Sequence, residues 1–448
     1  MVGPVRSPPT LDVSRWEGLR LLRKKPIALF ERAATRGDVV RIPLPGRAVY
    51  LVNRPELAWE VLATHAHDVR KSPVLQGARR VLGEGLLTSE GERHHRQRRL
   101  VQPLFHHERI EGYGATMVEL ADRSTARWHD GQEMDLHAEL ARLTLAIVAT
   151  TVFDTDIDDA DAADVGRALH DVLAHFDRLF SPFLPLWERL PLPSTLRYRR
   201  AKETFDRTVE AMIAARRRAG ATGSDLLSLL IRATEDGTGM SDRQVRDEAV
   251  TLFLAGHETT SNALTWTWHL LSRAPEAEGR LHAELDRTLG GRPTNAADLP
   301  TLPYTEAVLN ESMRLRPPAW AIGREVRDPF DVDGVELKPG TVAVVSPWLL
   351  HRDPRWWGTD ATAFRPERWL EDAEPPRHAF LPFGGGSRMC IGEGFARMEA
   401  RLLIAAIARA WRFEADPRHP VELQPVITLR PRSGLRVRAF RRPSAPTP

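Results

Sequence analysis

The sequence predicts a mainly α protein with small β-sheets, an α+β chain whose helical part is crossed by one long helix. Three observations lead there. β-branched residues gather around turn dipeptides in two stretches, 38–53 and 330–346. Between them apolar residues recur at helical spacing. A run from Ser241 to Pro275 holds more than thirty residues without an internal proline, longer than an ordinary globular helix.

In chain order, residues 1–15 and 438–448 read as flexible ends. DVVRIPL (38–44) and RAVYLVN (47–53) flank the turn-prone pair Pro45-Gly46 and read as a hairpin. In GERHHRQRRLVQPLF (91–105), His94 and Arg98 are four apart and share a helix face. FDRLFSPFLPLW (176–187) sets Phe176, Phe180, Phe183 and Trp187 among prolines. It reads either as a helix-to-helix connection packed on the core or as a greasy flap over an apolar pocket. Ser241 and Gln244 have capping-box spacing, and the helix they open would run roughly 50 Å at the usual rise. Its middle, TLFLAGHETTSNALTW (251–266), is apolar on most sides yet carries Gly256, His257, Glu258, Thr259 and Thr260, polar groups that need a reason in a buried helix. YTEAVLNESMRLRPP (304–318) is a helix stopped by Pro317, with Glu311 and Arg314 on one face. FDVDGVELKPGTVAVVS (330–346) turns at Asp333-Gly334 and Pro339-Gly340. From Ile391 a last helix carries Phe395, Met398 and Leu402 at helical spacing.

Composition narrows the function. With 448 residues, 42% apolar and 27% charged, the chain is an ordinary globular protein able to bury a large interior, and without repeats or Gly/Ser linkers it reads as one continuous unit. A single cysteine excludes internal disulfides, Cys-rich zinc sites and protein-held iron–sulfur clusters, each of which needs several thiolates. No window reaches the roughly 18 apolar residues needed to span a bilayer, and the amino terminus has no signal-peptide core, so a cytoplasmic location is expected. The formal charge of +3 and pI near 9.2 hint at an acidic partner without requiring nucleic acid.

That one cysteine, Cys390, lies in FGGGSRMCIG (383–392), behind three glycines and ahead of a helix. A helix amino terminus favours the thiolate, which is the nucleophile and metal ligand that a thiol is not, and glycines let the backbone turn sharply with its amides inward. The bland alternative is a structural cysteine beside a turn. Glu311 and Arg314 alone would likewise read as a solvated pair; Arg368, in FRPERW (364–369), is placed to complete a buried Glu-Arg-Arg network.

Taken together, these stretches resemble the cytochrome P450 family of haem-thiolate monooxygenases, over about residues 35–415. FGGGSRMCIG matches the family's FxxGxxxCxG haem-binding loop throughout. Glu311 and Arg314 match its ExxR helix, Arg368 its PER segment, and residues 255–260 (AGHETT) its (A/G)GxxT helix, all in the family's order. The resemblance implies a single domain over 1–448 with the P450 fold: a triangular prism with a β-rich lobe from about 35–70 and 320–350, a helical lobe from the remainder, and haem b between the long helix and the cysteine loop.

Carried over residue by residue, the resemblance makes Cys390 the axial iron ligand. Phe383 and the amides beyond the cysteine, at Gly392, tune the sulfur, and the glycines admit the haem edge. His94 and Arg98 match the family's (W/H)xxxR haem contact, with His95 an adjacent alternative to His94, and Arg324 and Arg388 match propionate-binding positions. Glu258 and Thr259 resemble the acid–alcohol pair that delivers protons. Gly256 would leave room for oxygen at a local helix distortion. The rival for Thr259 is a hydroxyl bonded back to a carbonyl one turn earlier. His257 reads as a satisfied core histidine.

No GxGxxG follows a strand, so electrons are expected from a separate ferredoxin or flavodoxin with its reductase, docking on a basic face of Arg96, Arg99, Arg397 and Arg401, for which plain solvation is the rival reading. Phe253, Ala255, Gly256, Trp320, Ala321 and Ile322 are the pocket candidates. The substrate expected is a hydrophobic small molecule: lipid, terpenoid or other secondary metabolite. A haem-thiolate isomerase or peroxygenase would share the cysteine loop and the Glu-Arg-Arg network, but Glu258 and Thr259 favour the monooxygenase. A non-enzymatic haem carrier would need no relay.

Overall fold

The hairpin read at 38–53 forms as Val39–Leu44 paired antiparallel with Arg47–Val52, and Gly46 at its turn takes φ +72°. The computed structural model describes residues 7–153, 190, 192–223, 225–235, 238–372 and 375–443. The aromatic stretch 176–187 lies outside the described residues. The chain divides into two compact units.

The first unit comprises Met1–Gln76, Glu311–Cys390 and Ile427–Leu429. Its five-stranded sheet runs, in spatial order, Val39–Leu44, Arg47–Val52, Val342–Val345, Ile322–Val326, Val69–Lys71. Val342–Val345, buried at all four positions, pairs parallel with Arg47–Val52 and antiparallel with Ile322–Val326. Asp333 and Gly334 both adopt left-handed φ (54° and 78°), the backbone of a tight two-residue turn, and join Phe330–Val332 to Val335–Leu337. Val52, Val61, Leu62, Val69, Val332, Leu337 and Leu381 share one apolar core. This core fixes the segment leading into the cysteine loop.

The second unit comprises Gly77–Asn310, Ile391–Val426 and Arg430–Pro448. Its long helix spans Asp242–Leu271, 30 residues, opened by the Ser241–Gln244 capping box and ended four residues before Pro275. It packs along Leu136–Phe153, while Glu393–Ala410 packs along His107–Thr125. Among the described residues no helix is long and apolar enough to cross a membrane.

Two expectations about the ends are corrected. Thr10 bridges to Arg41 and Leu11 is buried, so order begins before residue 15. Arg436–Arg441 is the middle strand of a sheet with Trp411–Ala415 and Gln132–Asp135. The alternation of Val437 and Ala439 with Arg436 and Arg438 explains that strand: every second side chain faces the core, with Val437 and Ala439 buried.

Candidate active site

Cys390 ends a loop held by its own backbone. Its amide donates to the Phe383 carbonyl at 3.0 Å, Gly384 N–H to Leu381 O at 3.1 Å, and Met389 N–H to Gly386 O at 3.1 Å. Cys390 itself is exposed, and the helix behind it starts at Glu393, after a turn at Ile391 and Gly392. The glycines make the expected sharp turn, and packing adds a second reason for them. A Cβ on Gly386 would lie 2.2 Å from the Leu62 carbonyl oxygen, and one on Gly385 would lie 2.9 Å from the Trp59 ring. Close approach to the helical turns at 55–64, together with φ of +76° at Gly384 and +70° at Gly386, requires glycine there.

Within this loop, Arg388 donates to Val69 O at 3.1 Å. Arg324 and Lys71 stand directly opposite across the strand pair, both buried, on the sheet face away from Glu325, which Arg70 and Arg47 occupy. Cations at these two positions are of the kind that pairs with carboxylates. A thiol left exposed at the end of a fixed loop offers a metal one ligand, so the metal must bring the rest of its ligand frame. The donor set therefore fits a porphyrin iron with its carboxylates. Lys71 was not legible from the sequence, where it is one more lysine; its pairing register supplies its place.

The Glu311 carboxylate and Arg314 are fully buried and meet in a two-pronged pair, Nε to Oε2 and Nη2 to Oε1, each 2.8 Å. Arg368 Nε adds 3.0 Å to Oε1, so the expected Glu-Arg-Arg network is present. It is wider than expected. Trp369 Nε1 (3.0 Å) and the Arg365 amide (2.9 Å) also donate to Glu311, and Arg314 donates to the carbonyls of His351, Ala361 and Ala363. His351 Nε2 accepts from the Leu381 amide at 2.8 Å, two residues before Phe383, which ties the network to the cysteine loop. Burial, with Arg314 beside it, lowers the His351 pKa to about 3, so it accepts as the neutral ring.

In the second unit His94 is buried and His95 exposed; Arg98 is half-buried on the same face as His94. From Asp247 to Leu271 the long helix is buried throughout except at Ala255, Gly256, Glu258 and Thr259. Those four form one stripe of small and polar groups left uncovered. The helix is unbroken there, so the expected distortion is absent, and Gly256 has Val148 Cγ2 3.2 Å from where its Cβ would stand: it seats the neighbouring helix. Thr259 Oγ1 donates to Ala255 O at 2.7 Å, the back-bonded rotamer, which leaves its lone pairs as acceptors. His257 is a satisfied core residue, 2.9 Å from Thr144 Oγ1, its pKa lowered to about 3 by burial.

Four expected positions are corrected. Phe253 is buried on the side of the helix opposite Ala255 and Thr259; Leu252 shares their stripe. Trp320 is a core residue, its ring stacked 5.7 Å from Phe30, whereas Ala321 and Ile322 remain half-buried. Of the four arginines expected to form a basic face, two are engaged internally. Arg397 pairs with Glu393 and Asn310, each at 2.8 Å, and Arg401 with Glu306 at 3.5 Å and the Leu299 carbonyl. Glu399, which the sequence reading passed over, is fully buried beside Thr260, and burial raises its pKa well above the usual carboxylate range.

Comparison with known proteins agrees with this geometry. The family model described as Cytochrome P450 matches residues 14–436. Cyclooctatin synthase of Streptomyces melanosporofaciens is 38% identical over 415 residues, covering 91% of this chain and 90% of that protein. From the same organism, cyclooctat-9-en-7-ol 5-monooxygenase is 38% identical over 401 residues, 88% and 87% of the two chains. Pentalenene oxygenase of Streptomyces avermitilis is 37% identical over 400 residues, 88% of each. The chain belongs to the cytochrome P450 family and is a haem b-dependent monooxygenase.

Proposed function

We propose that this chain hydroxylates an apolar, terpenoid-type hydrocarbon or alcohol, with Cys390 as the thiolate ligand of its haem. The observation that carries the ligand assignment is the loop in which a lone exposed cysteine is fixed by its amide to Phe383 O, beside the buried cations Arg324 and Lys71. The substrate class rests on the relatives named for pentalenene and cyclooctat-9-en-7-ol and on the small side chains of the uncovered stripe.

When bound, the haem supplies reductive activation of O2 and transfer of one oxygen atom to a C–H bond, with two electrons from a redox partner. The chain's residues do the rest. Arg324, Lys71 and Arg388 hold carboxylates, and His94 and Arg98 are haem contacts by the register of the family's pattern. Phe383 and the amide at Gly392 fix the sulfur's surroundings. The Glu311, Arg314 and Arg368 network, through His351 and Leu381, keeps the cysteine loop in place. By the register of the family's pattern, Ala255 and Gly256 on the long helix are substrate contacts, and Ala321 and Ile322 in the first unit are contacts by the same register. Thr259, its proton given to Ala255 O, accepts from an ordered water, and Glu258 exchanges that proton with solvent. An acidic ferredoxin or flavodoxin is the electron donor we favour, with Arg96 and Arg99 as its contacts, in the cytoplasm.

Turnover with a surrogate reductase system on terpenoid compounds under 18O2 tests this reading. One labelled oxygen in the product, with O2 required, is expected; product formed from peroxide alone, or carrying oxygen from water, would overturn it.

A further inference from the structure

Arg15–Lys24, the first helix, is seated by its inner face on the sheet: a Cβ on Gly18 would stand 2.3 Å from the Pro43 carbonyl oxygen, and Leu21 and Leu22 are half-buried. Among the described residues nothing covers its outer face. Trp16 is 73% exposed, more than any other large apolar side chain described. Arg20, Arg23 and Lys24 follow it at i+4, i+7 and i+8, so indole and three exposed cations make one outward stripe roughly 12 Å long. Arg15 and Lys25 extend the charge, against one acid, Glu17, which faces Arg32 at 3.9 Å. Among the described residues Arg20, Arg23 and Lys24 have no ion-pair partner.

We propose that this stripe docks the protein on an anionic lipid surface, the helix lying in the plane of the headgroups with Trp16 inserted at their level. The cations match anionic headgroups, and each contributes about fivefold to partition onto an anionic bilayer. An apolar ring with one polar N–H settles at the headgroup boundary, and with the cations on the same helix face it matches the pattern of a helix lying in a lipid interface.

The test is co-sedimentation of the full-length holoprotein with phosphatidylglycerol/phosphatidylcholine vesicles and with pure phosphatidylcholine vesicles. The triple variant Arg20→Glu, Arg23→Glu, Lys24→Glu should lower binding to the anionic vesicles by on the order of a hundredfold, and Trp16→Ser by several-fold. A control of equal formal charge, Arg273→Glu, Arg287→Glu, Arg377→Glu, should keep most of the binding. Unchanged haem absorbance and thermal midpoint check folding, and glutamine at positions 20, 23 and 24 serves if the triple variant does not fold. Three results would overturn the proposal: no binding of the wild type to anionic vesicles at low salt, equal loss in the control, or vesicle binding intact while docking of an acidic ferredoxin is lost.

Discussion

Replacing Glu311 with glutamine changes one oxygen for an NH2 group and nothing in shape, yet the structure predicts a large effect. Five donors converge on that carboxylate: Arg314 twice, Arg368, the Trp369 indole and the Arg365 amide. With the NH2 in the Oε2 position it would oppose Arg314 Nε and Trp369 Nε1; turned over, it would oppose Arg314 Nη2, Arg368 Nε and the Arg365 amide. Either way Arg314, fully buried, loses its counter-charge. Breaking a buried pair from one side costs about 3–5 kcal/mol. At about 2.1 cal/mol/K of unfolding entropy per residue, that lowers the midpoint by about 9–15 °C if the first unit of roughly 160 residues melts by itself, and by about 3–5 °C if the whole chain melts as one. Calorimetry of the holoprotein, with haem content read in parallel, is the assay. Because His351 links the network to Leu381, haem retention should fall with stability. A loss under about 1 kcal/mol, with haem content unchanged, would refute the reasoning and mean that the network is not holding the loop.

Other outcomes follow from single contacts. Gly386→Ala should abolish stable haem incorporation, because its Cβ meets the Leu62 carbonyl oxygen at 2.2 Å, whereas Gly384→Ala, whose nearest neighbour is Ile322 Cδ1 at 3.6 Å, should cost only the left-handed strain of about 1–2 kcal/mol; equal effects would count against the packing argument. Thr259→Ala should uncouple O2 consumption from product while Thr259→Ser retains coupling, measured as product per O2; unchanged coupling in the alanine variant removes Thr259 from the relay. Glu399, protonated when folded and ionised when unfolded, makes stability fall by about 1.4 kcal/mol per pH unit above the ordinary carboxylate range until it ionises in place. Glu399→Gln should therefore gain on the wild type by that slope as pH rises in denaturant titrations, and a pH-independent difference would mean that Glu399 is ionised when folded.

The elements that carry local signals were legible in the sequence. Ser241 and Gln244 announce their capping box, Asp333-Gly334 its turn, and β-branched residues around Pro45-Gly46 the hairpin, because each depends on neighbours within a few residues. Cys390, Glu311, Arg314 and Arg368 could be named because their spacing is part of a family pattern. What escaped depends on contacts distant in sequence. Lys71 gains meaning only opposite Arg324, His351 only where it accepts from Leu381, and Trp369 only where it completes Glu311. The glycines show the same limit from the other side: the sequence reveals that the loop needs them to turn, but only the fold shows that Gly385 and Gly386 also meet Trp59 and Leu62. Phe253 was misplaced because a family register sets position along a helix, while burial on the far side depends on which neighbours pack there.

The sulfur of residue 390 as an anionic iron ligand is the claim on which the rest stands, and the absorption spectrum of the reduced, carbon monoxide-bound protein tests it most directly. The account predicts the strongly red-shifted Soret band of a thiolate-ligated haem in the wild type and its replacement in Cys390→His by the band of a histidine-ligated one. A wild-type spectrum of the histidine or neutral-thiol kind, unchanged across pH, would contradict it.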